Sequence, residues 1–417
     1  MQISVTRYHF LIISTGLLVL FVVNFLLQID LQNIIYPDSE GYHDAAKSLY
    51  LHAKGQNCRP ILLAIIQGFP YIFGASDSII FSSSFYINLF CWLGFSIVLF
   101  EISKNYFSLK TSFVLAIFPF FIFNNLVVVF HLLSENVFMF FTILGFYFLM
   151  KYRQSRQFWQ LSLSLAIFVS SMLIRPGAKF FAIIMVLFFI KIVFINYRHK
   201  ATFLLYGSLM MVLVQCAGLK HQFGHFRISY IDVITYHNYL GSRAMCLKNG
   251  TEYSQYNNPR AEYIYNYQSE FQVDIAAEDF KNQLRDNKTN LIKAYFIDIL
   301  DNSKSGSGCV SDCKNIKKTT YFASVQKMLY HFTTYQNSIF SVIGCLIAVF
   351  FIFKFKKVQN LQFYFSIYIL YTITTAGISC QQGDRFHAVL FPYILFLILY
   401  YLKYRTVNFE VAAPPQK

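Results

Sequence analysis

Uninterrupted apolar runs of about 18 residues or more recur along this chain, and nothing else restricts its fold so tightly. As a helix, each run is long enough to cross a hydrocarbon core about 30 Å thick. The runs are continuous rather than alternating, which argues against a β-barrel. They predict ten spans, near 9–28, 79–100, 111–130, 133–150, 159–174, 178–196, 201–219, 336–353, 361–379 and 386–402. Only 13% of the 417 residues are charged, against roughly 25% in soluble domains. The expected fold class is therefore an all-α polytopic membrane protein. It has interfacial helices in its first long connection and a small, mainly helical region outside the bilayer.

Charge at the span ends predicts orientation. With the N-terminus inside, the inside segments carry Arg7; Lys104 and Lys110; Lys151, Arg153 and Arg156; Lys191, Arg198 and Lys200; Lys354, Lys356 and Lys357; and Lys403, Arg405 and Lys417. The short outside turns carry few cations, which is the positive-inside pattern. Both termini are then expected to be cytoplasmic, with the first segment a retained signal anchor. The same pattern accounts for the formal charge of +15 without nucleic acid. Three regions follow: an N-terminal transmembrane module (1–219) with a long first outer loop (29–78), an outer region (220–335), and a C-terminal transmembrane module with a short tail (336–417).

The first outer loop holds YPDSEGYHDAAKSLYLHAKGQNCRP, residues 36–60, with Asp38, Glu40 and Asp44 in one short stretch. Tyr42, Ala45, Ala46, Leu49 and Ala53 then repeat at helical spacing, which predicts a surface-lying amphipathic helix. Pro60 suits the first position of a second, shorter helix. Other polar groups fall at the same predicted depth: Arg59; Glu135 in HLLSENVF; Arg175 and Lys179 around a Pro-Gly break; and Asp384, Arg385 and His387 in QQGDRFH. Charges within spans are costly and rare; those near spans here collect at the outer level, which predicts a polar cavity there. Each residue also has a plainer reading. Asp38 suits the N-cap of a helix beginning near Ser39, Asp44 suits an ion pair with Lys47 one turn on, and Asp384 suits a local pair with Arg385. Arg59, Glu135, Arg175 and Lys179 suit interfacial anchors.

These pieces, in order, resemble the GT-C class of membrane glycosyltransferases, among them the protein O-mannosyltransferases and the aminoarabinose lipid A transferases. The resemblance is carried by Tyr36-Pro37-Asp38-Ser39-Glu40-Gly41-Tyr42 with its small-residue helix, Arg59-Pro60, Leu133-Ser134-Glu135, Leu173-Ile174-Arg175-Pro176, and Gly383-Asp384-Arg385-Phe386-His387 through Pro392. It spans about 1–220 and 336–405; within the outer region only Phe226-Arg227-Ile228-Ser229 takes part. Several members of that class carry a second acid directly after the Asp, where this chain has Ser39 and then Glu40.

The resemblance implies an inverting transfer from a polyprenyl-phosphate sugar to a glycan, lipid or protein acceptor, at the outer face of a bacterial inner membrane. A phosphate is a good leaving group, so cations and one carboxylate base suffice, unlike the two carboxyl groups of most glycoside hydrolases. The expected roles are Asp38 as base; Arg175, Lys179 and Arg385 on the donor phosphate; and Glu40, Tyr42, Arg59, Glu135 and His387 on substrate. No cofactor is required. His221, His225 and His237 are too loosely spaced to indicate a metal, although a divalent ion remains open. Two other classes also fit a polytopic chain. An envelope-polymer polymerase or ligase would rely on outer-region residues such as His237 and Arg243, and a transporter or flippase would place polar breaks at mid-membrane. Cys309 and Cys313 suit a local disulfide, free thiols or half of a zinc site.

Overall fold

The computed structural model describes residues 2–29, 37–255, 258–313, 319–354, 361–380 and 382–412. Tyr36, Gln381, Lys356, Lys357 and Lys417 of the patterns above lie outside the described residues. The first half of the chain forms helices α1 (Gln2–Leu27), α2 (Pro37–His52), α3 (Ile61–Gly68), α4 (Asp77–Ser103), α5 (Leu109–Ile117), α6 (Phe123–Val128), α7 (Glu135–Ser155), α8 (Phe158–Ser171), α9 (Lys179–Ile195) and α10 (Thr202–Phe223). The second half adds α11 (Ile231–Asn238), α12 (Leu240–Asn249), α13 (Pro259–Tyr265), α14 (Ser269–Asp286), α15 (Lys288–Lys304), α16 (Gly308–Ser311), α17 (Phe322–Lys354), α18 (Leu361–Ala376), α19 (Gly383–His387) and α20 (Phe391–Ala412).

The protein is all-helical over the described residues and membrane-embedded. Among the described residues, six helical segments are long and apolar enough to cross a bilayer: Val5–Leu27, Asp77–Ser103, Pro176–Ile195, Thr202–Phe223, Phe322–Lys354 and Gly383–Arg405. The other four apolar runs behave differently, for local reasons. The run near 111–130 breaks at Pro119, whose ring and missing N–H interrupt a helix; the chain passes through a 3-10 turn, Phe118–Phe121, and restarts as α6. The run near 133–150 becomes α7, which is 21 residues long but carries Glu135 at its start and Arg153 in its last turn. Helices α8 and α18 have 14 and 16 residues, or about 21 and 24 Å at 1.5 Å per residue.

Helices α7 and α8 pack closely. Phe168 fills the space a Cβ on Gly145 would need, and Ser164 Oγ donates to the Gly145 carbonyl at 2.7 Å. Small residues permit this approach where lipid offers no hydrophobic drive between helices. Residues 231–304 form a second helical layer with its own small core of Tyr236, Leu240, Ala244, Ile264, Ala276, Leu291 and Ala294. The layer is tied to the α2–α3 connection: Ser229 Oγ donates to the Cys58 carbonyl (2.7 Å), Tyr230 N to the Asn57 carbonyl (2.9 Å), and Asn57 Nδ2 to Ser269 Oγ (2.8 Å). These bonds fix the backbone on the N-terminal side of Arg59.

Candidate functional site

Helix α2 begins at Pro37, so Asp38 lies inside its first turn instead of capping a helix that starts at Ser39. The positive end of the helix dipole favours a carboxylate there. Both Asp38 oxygens are taken by cations. Oδ1 accepts from Arg59 Nη2 at 2.9 Å, and Oδ2 pairs with Arg385 Nη1. Burial pushes the Asp38 carboxyl up, but the Arg385 and Arg59 guanidiniums, by charge and by hydrogen bond, hold it well below the usual carboxylate range.

Four residues along α2, Tyr42 is buried on the same face. The Arg59 guanidinium lies over its ring, 4.3 Å from the centroid. The Tyr42 hydroxyl donates to Ser134 Oγ (3.1 Å), and Ser134 Oγ donates to Glu135 Oε2 (3.4 Å). Glu135 opens α7 and is 0% exposed. Its Oε1 accepts from Arg385 Nε at 2.6 Å. The contacts thus close a ring: Asp38, Arg59, Tyr42, Ser134, Glu135, Arg385 and back to Asp38. Arg175 flanks it, with Nη1 3.9 Å from Glu135 and donating to the Arg385 carbonyl at 3.3 Å. Phe386 lies 4.7 Å from the Arg175 guanidinium. Three guanidiniums face two carboxylates here, and the buried Asp384 carboxyl behind them also acts on Arg385 and Glu135.

Arg385 is held from behind by uncharged polar residues that sequence reasoning missed. Asn302, at the end of α15, donates to the carbonyls of Ala376 and Ser379 (2.7 Å each) and accepts from Gln382 N (3.0 Å). Asp384 accepts from Gly308 N at 2.9 Å, and its carbonyl accepts from Asn124 Nδ2 at 3.1 Å. The expected local interaction with Arg385 reaches the Asp384 carboxyl through the Arg385 charge and backbone N–H. No local spacing marks these roles, because an uncharged amide is unremarkable until its partners are known.

The other expected site residues lie elsewhere. Glu40 is exposed on another side of α2. Lys179 pairs with Asp232, whose other oxygen is 3.8 Å from Arg227, so it docks α11. His387 is fully buried, its Nδ1 2.8 Å from Ser341 Oγ of α17. The expected Asp44–Lys47 pair does not form. Lys47 reaches Asp77 at 2.9 Å instead, and Tyr71 Oη bridges Asp77 and His43, 2.9 Å from each. This staple pins the far side of α2 to the start of α4. The amphipathic stretch ends at His52, one residue before Ala53 (φ 51°). Pro60 is the N-cap of α3, one position earlier than expected. Cys309 and Cys313 are buried free thiols. His225 lies 3.5 Å from Asp274, and His237 Nδ1 is 3.1 Å from Asn238 Oδ1. Among the described residues, no three His, Cys, Asp or Glu side chains converge as a metal site.

A second charged cluster lies in the α12–α15 layer. Arg243 Nε is 2.7 Å from the fully buried Asp298, and its Nη2 is 2.8 Å from Asp301. Burial pushes the Asp298 carboxyl up to about 7, against the pull of Arg243 and with the push of Asp301. An unfolded Asp titrates near 3.9. Between these values the folded chain holds a proton that the unfolded chain has released, so stability falls as pH rises through about 7. Asp298→Asn should flatten this slope in thermal melts followed from about pH 4 to 8; an unchanged slope would assign it to another group.

No protein-family model, curated protein or solved structure matches this chain.

Proposed function

We propose that this protein is an inverting glycosyltransferase that moves a sugar from a polyprenyl-phosphate donor to an envelope glycan, lipid or protein acceptor. The reading places the site at the outer face of a bacterial inner membrane, with both termini cytoplasmic. The observation that carries it is the convergence of three guanidiniums and two carboxylates from α2, the α2–α3 connection, the start of α7, the turn after α8 and α19. Such a gathering of guanidiniums suits an anion, and a guanidinium suits the bidentate geometry of phosphate.

The chemistry follows from the ring. A donor phosphate competes with Asp38 for the N–H groups of Arg385 and Arg59. As those bonds transfer to phosphate, Asp38 loses the contacts that hold its proton affinity down. The acceptor hydroxyl attacks the anomeric carbon, and Asp38 takes its proton. The carbon–oxygen bond to phosphate breaks, and its electron pair leaves on the phosphate, neutralised by the arginines. Glu135 keeps Arg385 aimed, and Arg175 sits against the Arg385 backbone.

Asp38→Asn keeps the shape and removes the base. Transfer in membranes should fall by about 10²–10⁴-fold, with the protein still inserted. The donor and acceptor are identified by mass spectrometry of lipid-linked sugars and envelope glycans with and without the gene. Donor accumulation together with a missing glycan residue is expected. Unchanged profiles, or an Asp38→Asn variant working at the parent rate, would sink the reading.

A further inference from the structure

Helix α15 presents an unpartnered face of mixed character. Ile292, Phe296 and Leu300 are 50%, 59% and 58% exposed and stand one turn apart as a single ridge. Lys288, Lys293 and Lys304 are exposed along the same helix. A soluble helix of this size normally turns such a ridge inward. The inward face of α15 is already occupied: Leu291, Ala294, Asp298 and Asn302 are buried.

The neighbours of α15 set its level. The Tyr295 hydroxyl donates to the Thr374 carbonyl at 2.7 Å, in the last turn of α18, and Tyr295 and Ile299 close over Gly377. Asn302 grips the carbonyls of Ala376 and Ser379 just beyond. Helix α15 therefore lies across the end of α18, where an apolar helix gives way to polar chain. It also packs on α17, which itself exposes Met328, Phe332, Tyr335, Ile339, Val342 and Leu346. At 33 residues, α17 is about 50 Å long, which exceeds a hydrocarbon core of about 30 Å. A helix this long extends past the core, and α15 meets it at Asn337, whose Nδ2 donates to the Asn302 carbonyl at 2.7 Å.

We infer that α15 is a membrane-surface helix whose Ile292–Phe296–Leu300 ridge enters the acyl boundary while Lys288, Lys293 and Lys304 bind anionic lipid headgroups. Apolar ridges flanked by lysines lie in that zone, buried about 5–10 Å, and each lysine near an anionic surface adds attraction. The contact holds the helix that carries Asn302, and through it the turn leading to Arg385. The inference stands on the fold and does not depend on the proposed chemistry.

The test uses the full chain in vesicles and an added tryptophan, Phe296→Trp, read as the difference from the parent, whose two tryptophans are Trp92 and Trp159. The added emission should drop by about half or more in lipids brominated near the headgroup end of the chains and resist acrylamide in water. The lipid quench should be stronger in mixed phosphatidylglycerol–phosphatidylcholine than in phosphatidylcholine alone. That difference should vanish when Lys288, Lys293 and Lys304 are all changed to Gln. Emission open to acrylamide and untouched by brominated lipid would overturn the inference, as would shielding from both quenchers, which means a protein surface covers the ridge. An equal quench in both lipid compositions would overturn the headgroup contact. Ile292→Trp and Leu300→Trp read the same ridge if Phe296→Trp fails to fold.

Discussion

Arg385→Ala is expected to cost about 3–5 kcal/mol of stability, the usual consequence of stripping one partner from a buried ion pair, and to abolish sugar transfer. The reason lies with the group left behind. Glu135 is 0% exposed, and Arg385 Nε at 2.6 Å is its nearest cation. After truncation Arg175, at 3.9 Å, is the guanidinium left facing it among the described residues. Asp38 fares better, because Arg59 stays on its other oxygen and it retains access to water. Combining Arg385→Gln with Glu135→Gln removes both charges and should restore much of the melting temperature, since matched neutral partners avoid a stranded charge. Transfer should remain lost in the double variant, because the phosphate partner is gone. Arg385→Lys should also transfer poorly, since an ammonium cannot span Asp38 and Glu135 as the planar guanidinium does. Thermal melts in detergent and transfer in membranes check the series. A double variant no more stable than Arg385→Ala would mean that the stranded Glu135 is not the source of the loss.

Gly383→Ala is the second large effect. A Cβ at Gly383 would lie 1.8 Å from the Asn302 carbonyl oxygen, 2.3 Å from its carbon and 2.6 Å from its Cα. The obstacle is backbone, and it is held in place, because the same oxygen accepts from Asn337 Nδ2 at 2.7 Å and Ser305 Oγ at 3.0 Å. Something in the α15–α19 junction must shift, at a cost of about 3 kcal/mol or more, at the upper end of overpacking. Arg385 is two residues away, so its guanidinium moves too. A displacement of about 1 Å is enough for losses near 10²-fold in rate. Gly207→Ala is the control: nothing lies within 4 Å of its Cβ position, and alanine there should be neutral or slightly stabilising in a helix. Comparing melts and transfer rates of the two variants separates the clash from any general effect of adding a methyl.

The residues of the ring were legible as candidates because this chain carries so few charges at the outer ends of its apolar runs. A carboxylate or guanidinium placed there needs a reason, and Asp38, Arg59, Glu135, Arg175 and Arg385 each stand out for that. Their sorting was not legible. Lys179 and His387 have the same local look as Arg175 and Arg385, yet one serves Asp232 and the other Ser341. Lys47 is spaced to meet Asp44 but finds Asp77, because α2 packs against the start of α4. Asn302 and Asn124 gave no usable signal, since an uncharged amide is unremarkable until its partners are known.

By itself the sequence determined that the chain is helical and lies in a membrane, since apolar length and the cost of an unpaired backbone in lipid leave few other structures. It also determined which few polar side chains had to be explained. Tertiary structure alone decided which of them meet. Asp38 and Arg385 are 347 positions apart, and no local spacing rule reaches that far. Their contact exists because α2, α7 and the α15-braced α19 turn are packed into one place, where each buried charge must find an opposite one or pay for desolvation.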